Sequence, residues 1–476
     1  MTAARYLPLA LLTTLAACAV GPHYSPPATP SDGNWAESAT SSAVDLTWWQ
    51  SLSDPLLDEL IHTAVACNFD LKTAEARLHE ARATRDAVAG QRLPEVTASG
   101  LATRNGWSEN GPIPISRIPG FERDYNLFQL GFDASWEIDL WGHNARAVEA
   151  AQARAEGADE QRRATLLRVI TEVARSYVDL RSAQQQLLTA RADADARVEV
   201  AKLVDERYQH GEASRFDFVR ADAQARSAQA VLPDLDADAH AAVYRLAVLT
   251  AQAPEALRDP LLSTAPPLPH SPATVGAGLR SEVLQRRPDV RQAERQLAAA
   301  TAEVGVNKAE LFPRISLVGS VGQQSSTTGE FAKEGSNYFS IGPSLHWPIF
   351  AGGTLRANVR AAEAGAHAAA ATYQNAVLVA LNDSETAINR FAAAQRTRDE
   401  RNAALQQSAA ALVLARQRYR AGEDDLLVLL DAQSAYSAAQ QQSVSADAGV
   451  LTALISLYKA LGGGWEAFEP TTLAAR

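Results

Sequence analysis

Catalysis needs particular residue types at particular spacings, and this chain offers few such arrangements. No HExxH, CxxC, GxSxG or phosphate-loop pattern occurs. The nine histidines are scattered without ligand spacing, and the single methionine is Met1. Two cysteines, Cys18 and Cys67, cannot build a disulfide framework or a Cys-rich metal site. No catalytic residue and no metal ligand is therefore assigned. Two turns stand out instead, Arg207–Asp217 around Gly211 and Arg418–Leu427 around Gly422. Each glycine suits a helix C-cap, and the Ser, Asp and Glu residues beyond it suit the next helix start. Just past the second turn, Leu427, Leu430 and Asp431 fall on nearly one helical face. Repeated about a threefold axis, Asp431 would make a ring of carboxylates and Leu427 an apolar constriction, the devices that set selectivity and gating in pores. An exposed helix carboxylate is the plainer alternative for Asp431.

The whole-chain averages point elsewhere. The 476 residues suggest several domains, and a net charge of -11 argues against nucleic acid as a partner, since phosphate neutralisation needs clustered Lys and Arg. Hydrophobic residues at 46% and charged residues at 21% resemble an ordinary soluble protein. No stretch approaches the ~20 apolar residues of a spanning helix.

The N-terminus modifies that picture. Arg5 and the amino group precede an apolar run, Tyr6–Ala17, that ends in Leu15-Ala16-Ala17-Cys18. The pattern resembles the lipobox of bacterial lipoproteins. That resemblance implies a signal peptide over 1–17, cleavage before Cys18 and acylation of its thiol and new amino group. The covalent lipid at Cys18 is then the only prosthetic group expected, with no other cofactor. Ala19 at the next position favours sorting to the outer membrane. Residues 18–53, rich in Pro, Ser, Thr and Gly, read as a lipidated tether. Cys67, left without a second thiol, reads as a packed core residue.

The remainder is written twice. Asn68-Phe69-Asp70-Leu71 corresponds to Arg287-Pro288-Asp289-Val290, and Leu93-Pro94 to Phe312-Pro313, at an offset of 219 residues. Trp136 and Trp347, Gly142 and Gly353, Tyr208 and Tyr419, and Gly211 and Gly422 correspond at 211, so one loop near 105–124 is longer. The repeats are expected over 54–262 and 280–462, with a linker at 263–279 and a tail at 463–476. Each holds a helix, two strands (94–104 and 125–141; 313–323 and 338–350), a long helix (142–209; 353–420) and a further helix (214–252; 424–462).

Strands 125–141 and 338–350 alternate. Phe128, Leu130, Phe132, Trp136 and Ile138 share one face, opposite Gln129, Asp133, Ser135 and Glu137. Phe339, Ile341, Leu345 and Trp347 likewise oppose Ser340, Ser344 and His346. Such strands are greasy on one side and wet on the other, as in a sandwich or a transmembrane barrel. Four strands cannot close a barrel, so a membrane role requires oligomerisation, and three copies would supply 12 strands. Each long helix spans roughly 100 Å and needs packing along its length. One long helix beside two shorter ones stacked end to end, made twice, satisfies that need.

Several segments resemble the outer-membrane factors of bacterial efflux pumps, the TolC and OprM family, in its lipoprotein branch. They are Cys18–Tyr24 with Pro26 and Pro27, Trp48-Trp49 with Asp54-Pro55, Arg286–Leu317 and Arg418–Gln441. The resemblance implies a mainly α fold with a transmembrane β-barrel contribution: a homotrimer with a 12-stranded barrel in the outer membrane and a 12-helix periplasmic tunnel. It implies a passive exit duct, not an enzyme, working with a periplasmic adaptor and an inner-membrane pump. Leu427 and Asp431 match the periplasmic aperture, and Gly211 and Gly422 the tips that meet the adaptor. Acidic residues at the mouth would favour cations. A type I-like secretion channel and a lipid-tethered coiled-coil scaffold are the alternative readings.

Overall fold

The computed structural model describes residues 19–27, 35–36, 42–110, 112, 120 and 122–469. Cys18 and the expected signal peptide lie outside the described residues. The chain divides into two compact units, and each draws on both copies of the duplicated sequence. The first takes the residues up to Pro27 with Leu78–Ala158 and Ala293–Tyr373, and the second takes Ala28–Arg77, Asp159–Gln292 and Gln374–Arg476.

Asp54 opens helix α1 (Pro55–Cys67) by accepting from the Leu56 and Leu57 amides. Helix α2 (Phe69–Gly90) follows after a break at Asn68. After α6 (Pro254–Leu262), the equivalent break at Arg287 separates α7 (Arg280–Arg286) from α8 (Pro288–Ala309). Both breaks are tied down in the same way by different residues. Asn68 Nδ2 donates to the Leu249 carbonyl at 2.8 Å, and Arg287 Nη1 donates to the Ala460 carbonyl at 3.1 Å. Leu249 and Ala460 end α5 (Leu232–Leu249) and α10 (Leu426–Ala460), whose last carbonyls lack helical partners. Arg287 also grips Asp289 and Asp383.

In the first unit, strands β1 (Glu95–Gly106), β2 (Asp124–Ile138), β3 (Arg314–Ser325) and β4 (Asn337–His346) form one antiparallel sheet in sequential order. The register carries the alternation across all four strands. Ala98, Phe132, Val321 and Phe339 make one apolar row, and Val96, Ala134, Gly319 and Ile341 another. Thr97, Asp133, Ser320 and Ser340 make a row on the opposite, polar face. There Ser99 donates to Asp133 at 2.8 Å and Gln129 to the Tyr338 hydroxyl at 2.9 Å. Gly131 and Gly322 leave room for the Tyr338 ring, since a Cβ on either would stand within 3.0 Å of it.

The strands stop short of the expected 125–141 and 338–350. Asp139 leaves the sheet to accept the Ala145 amide at the start of α3 (His143–Gln209), and Gly142 turns at φ +79°. Trp347 leaves β4 to donate to the Leu311 carbonyl, as Trp136 donates to that of Arg92. These pairs are equivalent in the two copies. The second long helix, α9, spans Thr354–Ala421.

Four expectations need correction. The helix expected over 214–252 is α4 (Arg215–Ala230) and α5, broken at Val231, because Pro233 lacks an amide donor and disfavours helix before it. Residues 18–53 are not a loose tether throughout. Val44, Trp48, Trp49 and Leu52 are buried in the second unit's core, with Trp48 stacked on Tyr458. In the first unit, Val20 donates to the Trp141 carbonyl, Gly21 abuts Gly305, and Tyr24 donates to Glu294 at 2.6 Å. Residues 463–469 likewise pack down. Trp465 is buried, with the Arg163 guanidinium over its ring, and Glu469 pairs with Arg162 and Arg163. These segments carry aromatic side chains whose burial outweighs their loop-like composition. Cys67 is a free, half-buried thiol rather than a core residue.

Candidate functional site: the paired helical hairpins

Two hairpins of the second unit hold the residues of interest. The first joins α3 to α4, and the second joins α9 to α10. Their caps are equivalent. Gly211 (φ +76°) and Gly422 (φ +74°) adopt the left-handed conformation that ends a helix without Cβ strain. The Glu212 amide donates back to the Arg207 carbonyl at 2.8 Å, and the Glu423 amide to that of Arg418 at 3.0 Å. Both glycines are exposed, and a Cβ on either would meet nothing within 4 Å.

The next helices start differently. Ser214 and Asp217 form a reciprocal capping box on α4, whereas Asp425 caps α10 through the Leu427 amide. Arg418 pairs with Asp424 at 2.9 Å across the second turn. Arg207 joins the two hairpins, donating to the Tyr419 hydroxyl at 3.0 Å with its guanidinium over that ring.

Below the turns the hairpins share an apolar cluster that includes Val204, Ala221, Ala225, Leu412, Leu426, Leu429 and Leu430. This separates residues expected on one face. Leu427 and Asp431, one helical turn apart, are exposed on α10, whereas Leu430 is buried. Asp431 forms no ion pair or hydrogen bond among the described residues, so its charge faces solvent in the protomer.

Sequence reading missed a polar chain beneath the cluster. Arg416 donates to Gln433 at 2.9 Å, Gln433 donates to Asp193 at 3.1 Å, and Arg197 pairs with Asp193 at 2.8 Å. Gln433 is buried, so each of its polar atoms needs a partner. Its position among the leucines of α10 was the only signal, and of its partners Arg416 lies 17 residues away and Asp193 240. The arrangement is a rigid pair of hairpins presenting apolar and carboxylate side chains. It assembles no nucleophile with a base.

Residues 60–252 and 279–463 match the family described as outer membrane efflux protein. The chain belongs to that family. Among its relatives is the pyoverdine export outer membrane protein OpmQ of Pseudomonas aeruginosa, 32% identical over 443 residues and 92% of each chain. The solved outer-membrane channel OprN superposes with a TM-score of 0.88 at 34% identity, covering 94% of this chain and all of that one. The MtrE outer membrane channel of Neisseria gonorrhoeae, in its open state, superposes at 0.82 with 30% identity, covering 94% of this chain and 99% of that one. This outer membrane efflux protein is thus an exit duct of an efflux pump, resident in the outer membrane, and not an enzyme. Among the described residues no helix is long and apolar enough to cross a membrane. In this efflux protein one face of the sheet carries apolar rows across all four strands, through Phe132 and Phe339 and through Val96 and Ile341.

Proposed function

We propose that three copies of this chain close a barrel of twelve strands in the outer membrane and a helical conduit in the periplasm, anchored by lipid on Cys18. The observation that carries this is the four-stranded sheet, apolar on one face in register, in which β1 and β4 each have one neighbour among the described residues. An open edge leaves backbone groups unpaired, which hydrocarbon does not tolerate. Pairing β4 of each copy with β1 of the next removes every edge.

In this reading Leu427 and Asp431 line the periplasmic aperture, and Gly211 and Gly422 mark the tips that an adaptor protein grips. The adaptor and an inner-membrane transporter supply energy and substrate selection, while the duct passes small molecules passively. OpmQ is named for pyoverdine export, which is consistent with cargo of that size. The test is purification from outer membranes, a native mass of the detergent complex, and planar-bilayer recording. Three chains, bound palmitate lost in Cys18→Ser, and higher conductance in Asp431→Ala are expected. A monomer, or an Asp431→Ala conductance equal to the parent's, overturns the corresponding element.

A further inference from the structure

The equivalence of the two hairpins runs past their glycines. At the same offset of 211 residues, Phe216 stands where the second hairpin has Leu427, and Arg220 where it has Asp431. Helical phase is preserved between them. The glycines share a conformation, and α4 and α10 both begin four residues beyond their glycine, at Arg215 and Leu426. Phe216 and Arg220 therefore project from the first hairpin in the direction that Leu427 and Asp431 project from the second. Exposure agrees at the first of these positions, while Arg220 is half-buried and Asp431 exposed. Phe216 is 67% exposed and Leu427 37%, while Ala221 and Ala225 of α4 turn into the shared cluster.

The charges add a second observation. Four nearby arginines are engaged, Arg197 with Asp193, Arg207 with Tyr419, Arg416 with Gln433 and Arg418 with Asp424, whereas Arg215 and Arg420 at the turns have no such partner among the described residues. Arg220 and Asp431 form no ion pair or hydrogen bond among the described residues. Equivalent positions thus carry opposite charges, and neither is satisfied inside the protomer.

We propose that Phe216 and Arg220 are the first hairpin's share of the aperture, so that three Phe216–Arg220 sets alternate around the ring with three Leu427–Asp431 sets. This rests on the trimeric aperture proposed above and deepens it. The constriction then has six apolar positions instead of three. Its charged layer alternates cation and anion and is close to neutral, unlike the acidic collar that Asp431 alone would make. An acidic ring selects cations, whereas an alternating ring discriminates weakly. Alternating charges also attract across a narrow, poorly hydrated opening, which favours the closed arrangement.

Planar-bilayer recording of the full trimer under a KCl gradient reads both selectivity and conductance. Arg220→Ala is expected to shift the reversal potential toward K⁺ by about twofold or more in permeability ratio and to raise conductance. Asp431→Ala shifts it toward Cl⁻, and the exchange pair Arg220→Asp with Asp431→Arg returns it near the parent. If Arg220→Ala matches the parent in both readouts while Asp431→Ala departs, this inference is overturned and the Asp431 aperture stands. If neither departs, the aperture reading fails and the inference with it. Should Arg220→Ala not assemble, Arg220→Cys in a Cys67→Ala background is treated with an anionic methanethiosulfonate reagent during recording. A stepwise change in current supports the lining role, and an unchanged current with labelling verified by mass overturns it.

Discussion

Val219 and Leu430 occupy equivalent positions in the two hairpins, yet Leu430 is 2% exposed and Val219 is 53% exposed. The difference lies in their neighbours. Within one chain the second hairpin packs against the first, as the Gln433–Asp193 hydrogen bond records. The corresponding side of the first hairpin has no copy of that neighbour in the protomer. In a closed ring the adjacent subunit supplies it.

The two residues should therefore fail differently. Val219→Asp is expected to leave the protomer folded, with unchanged helical circular dichroism, and to lower the trimer fraction in sedimentation at low concentration. Leu430→Asp buries an unpaired charge and is expected to lower the thermal midpoint before any effect on assembly. A Val219→Asp protein that remains as trimeric as the parent would remove the neighbour argument.

Arg287 holds a helix break closed through two carbonyls and two carboxylates. Truncation to Ala removes these bonds, while both carboxylates stay half exposed and Ser384 still donates to both carbonyls, at a cost of about 1–3 kcal/mol. Thermal unfolding followed by circular dichroism should show a clear drop for Arg287→Ala and a smaller one for Arg287→Lys, which keeps charge but not the forked geometry.

Asp289 gives that cluster a pH dependence. Partial desolvation opposes its ionisation, but Arg287 outweighs this and holds the carboxyl below its usual 3.8. Its folded pKa is thus lower than its unfolded one. The stabilisation is fully present above pH 3.8 and is lost as pH falls below that value through the folded pKa. The thermal midpoint should fall over that acid range in the parent, and Asp289→Asn should flatten the fall.

Gly211 and Gly422 are required for backbone conformation and not for space. Replacement of either by Ala should cost about 1 kcal/mol, from the left-handed conformation alone, with no loss of fold. A destabilisation several times larger would mean that a side chain at the turn meets something beyond the protomer.

Gly305 is a different case. A Cβ there would stand 2.8 Å from the Arg146 side chain, which itself reaches the carbonyl of Val20. Gly305→Val is expected to loosen the segment 19–27, read as faster chymotryptic cleavage after Tyr24. Cleavage at the parent rate would show that Arg146 adapts.

Much of this was legible in the sequence for local reasons. The duplication, the alternation in β2 and β4, and the glycine turns follow from spacing, because strand period and cap chemistry are properties of neighbouring residues. The break at Val231 was missed in the expectation of one helix over 214–252, although Pro233 carried its signal. The docking of Trp48, Trp49 and Trp465 was not, since loop composition does not reveal which aromatic rings find a core.

By itself, the sequence determined the inventory: two equivalent hairpins, four half-greasy strands, and opposite charges at Arg220 and Asp431. Only the tertiary structure decided which of these side chains are satisfied. Leu427, Leu430 and Asp431 lie close together on the helix, and the α3 and α9 residues of the shared cluster bury Leu430 while leaving the other two exposed. Burial depends on which helices come alongside, and the residues that bring them there, such as Asp193 and Gln433, lie 240 residues apart in the chain.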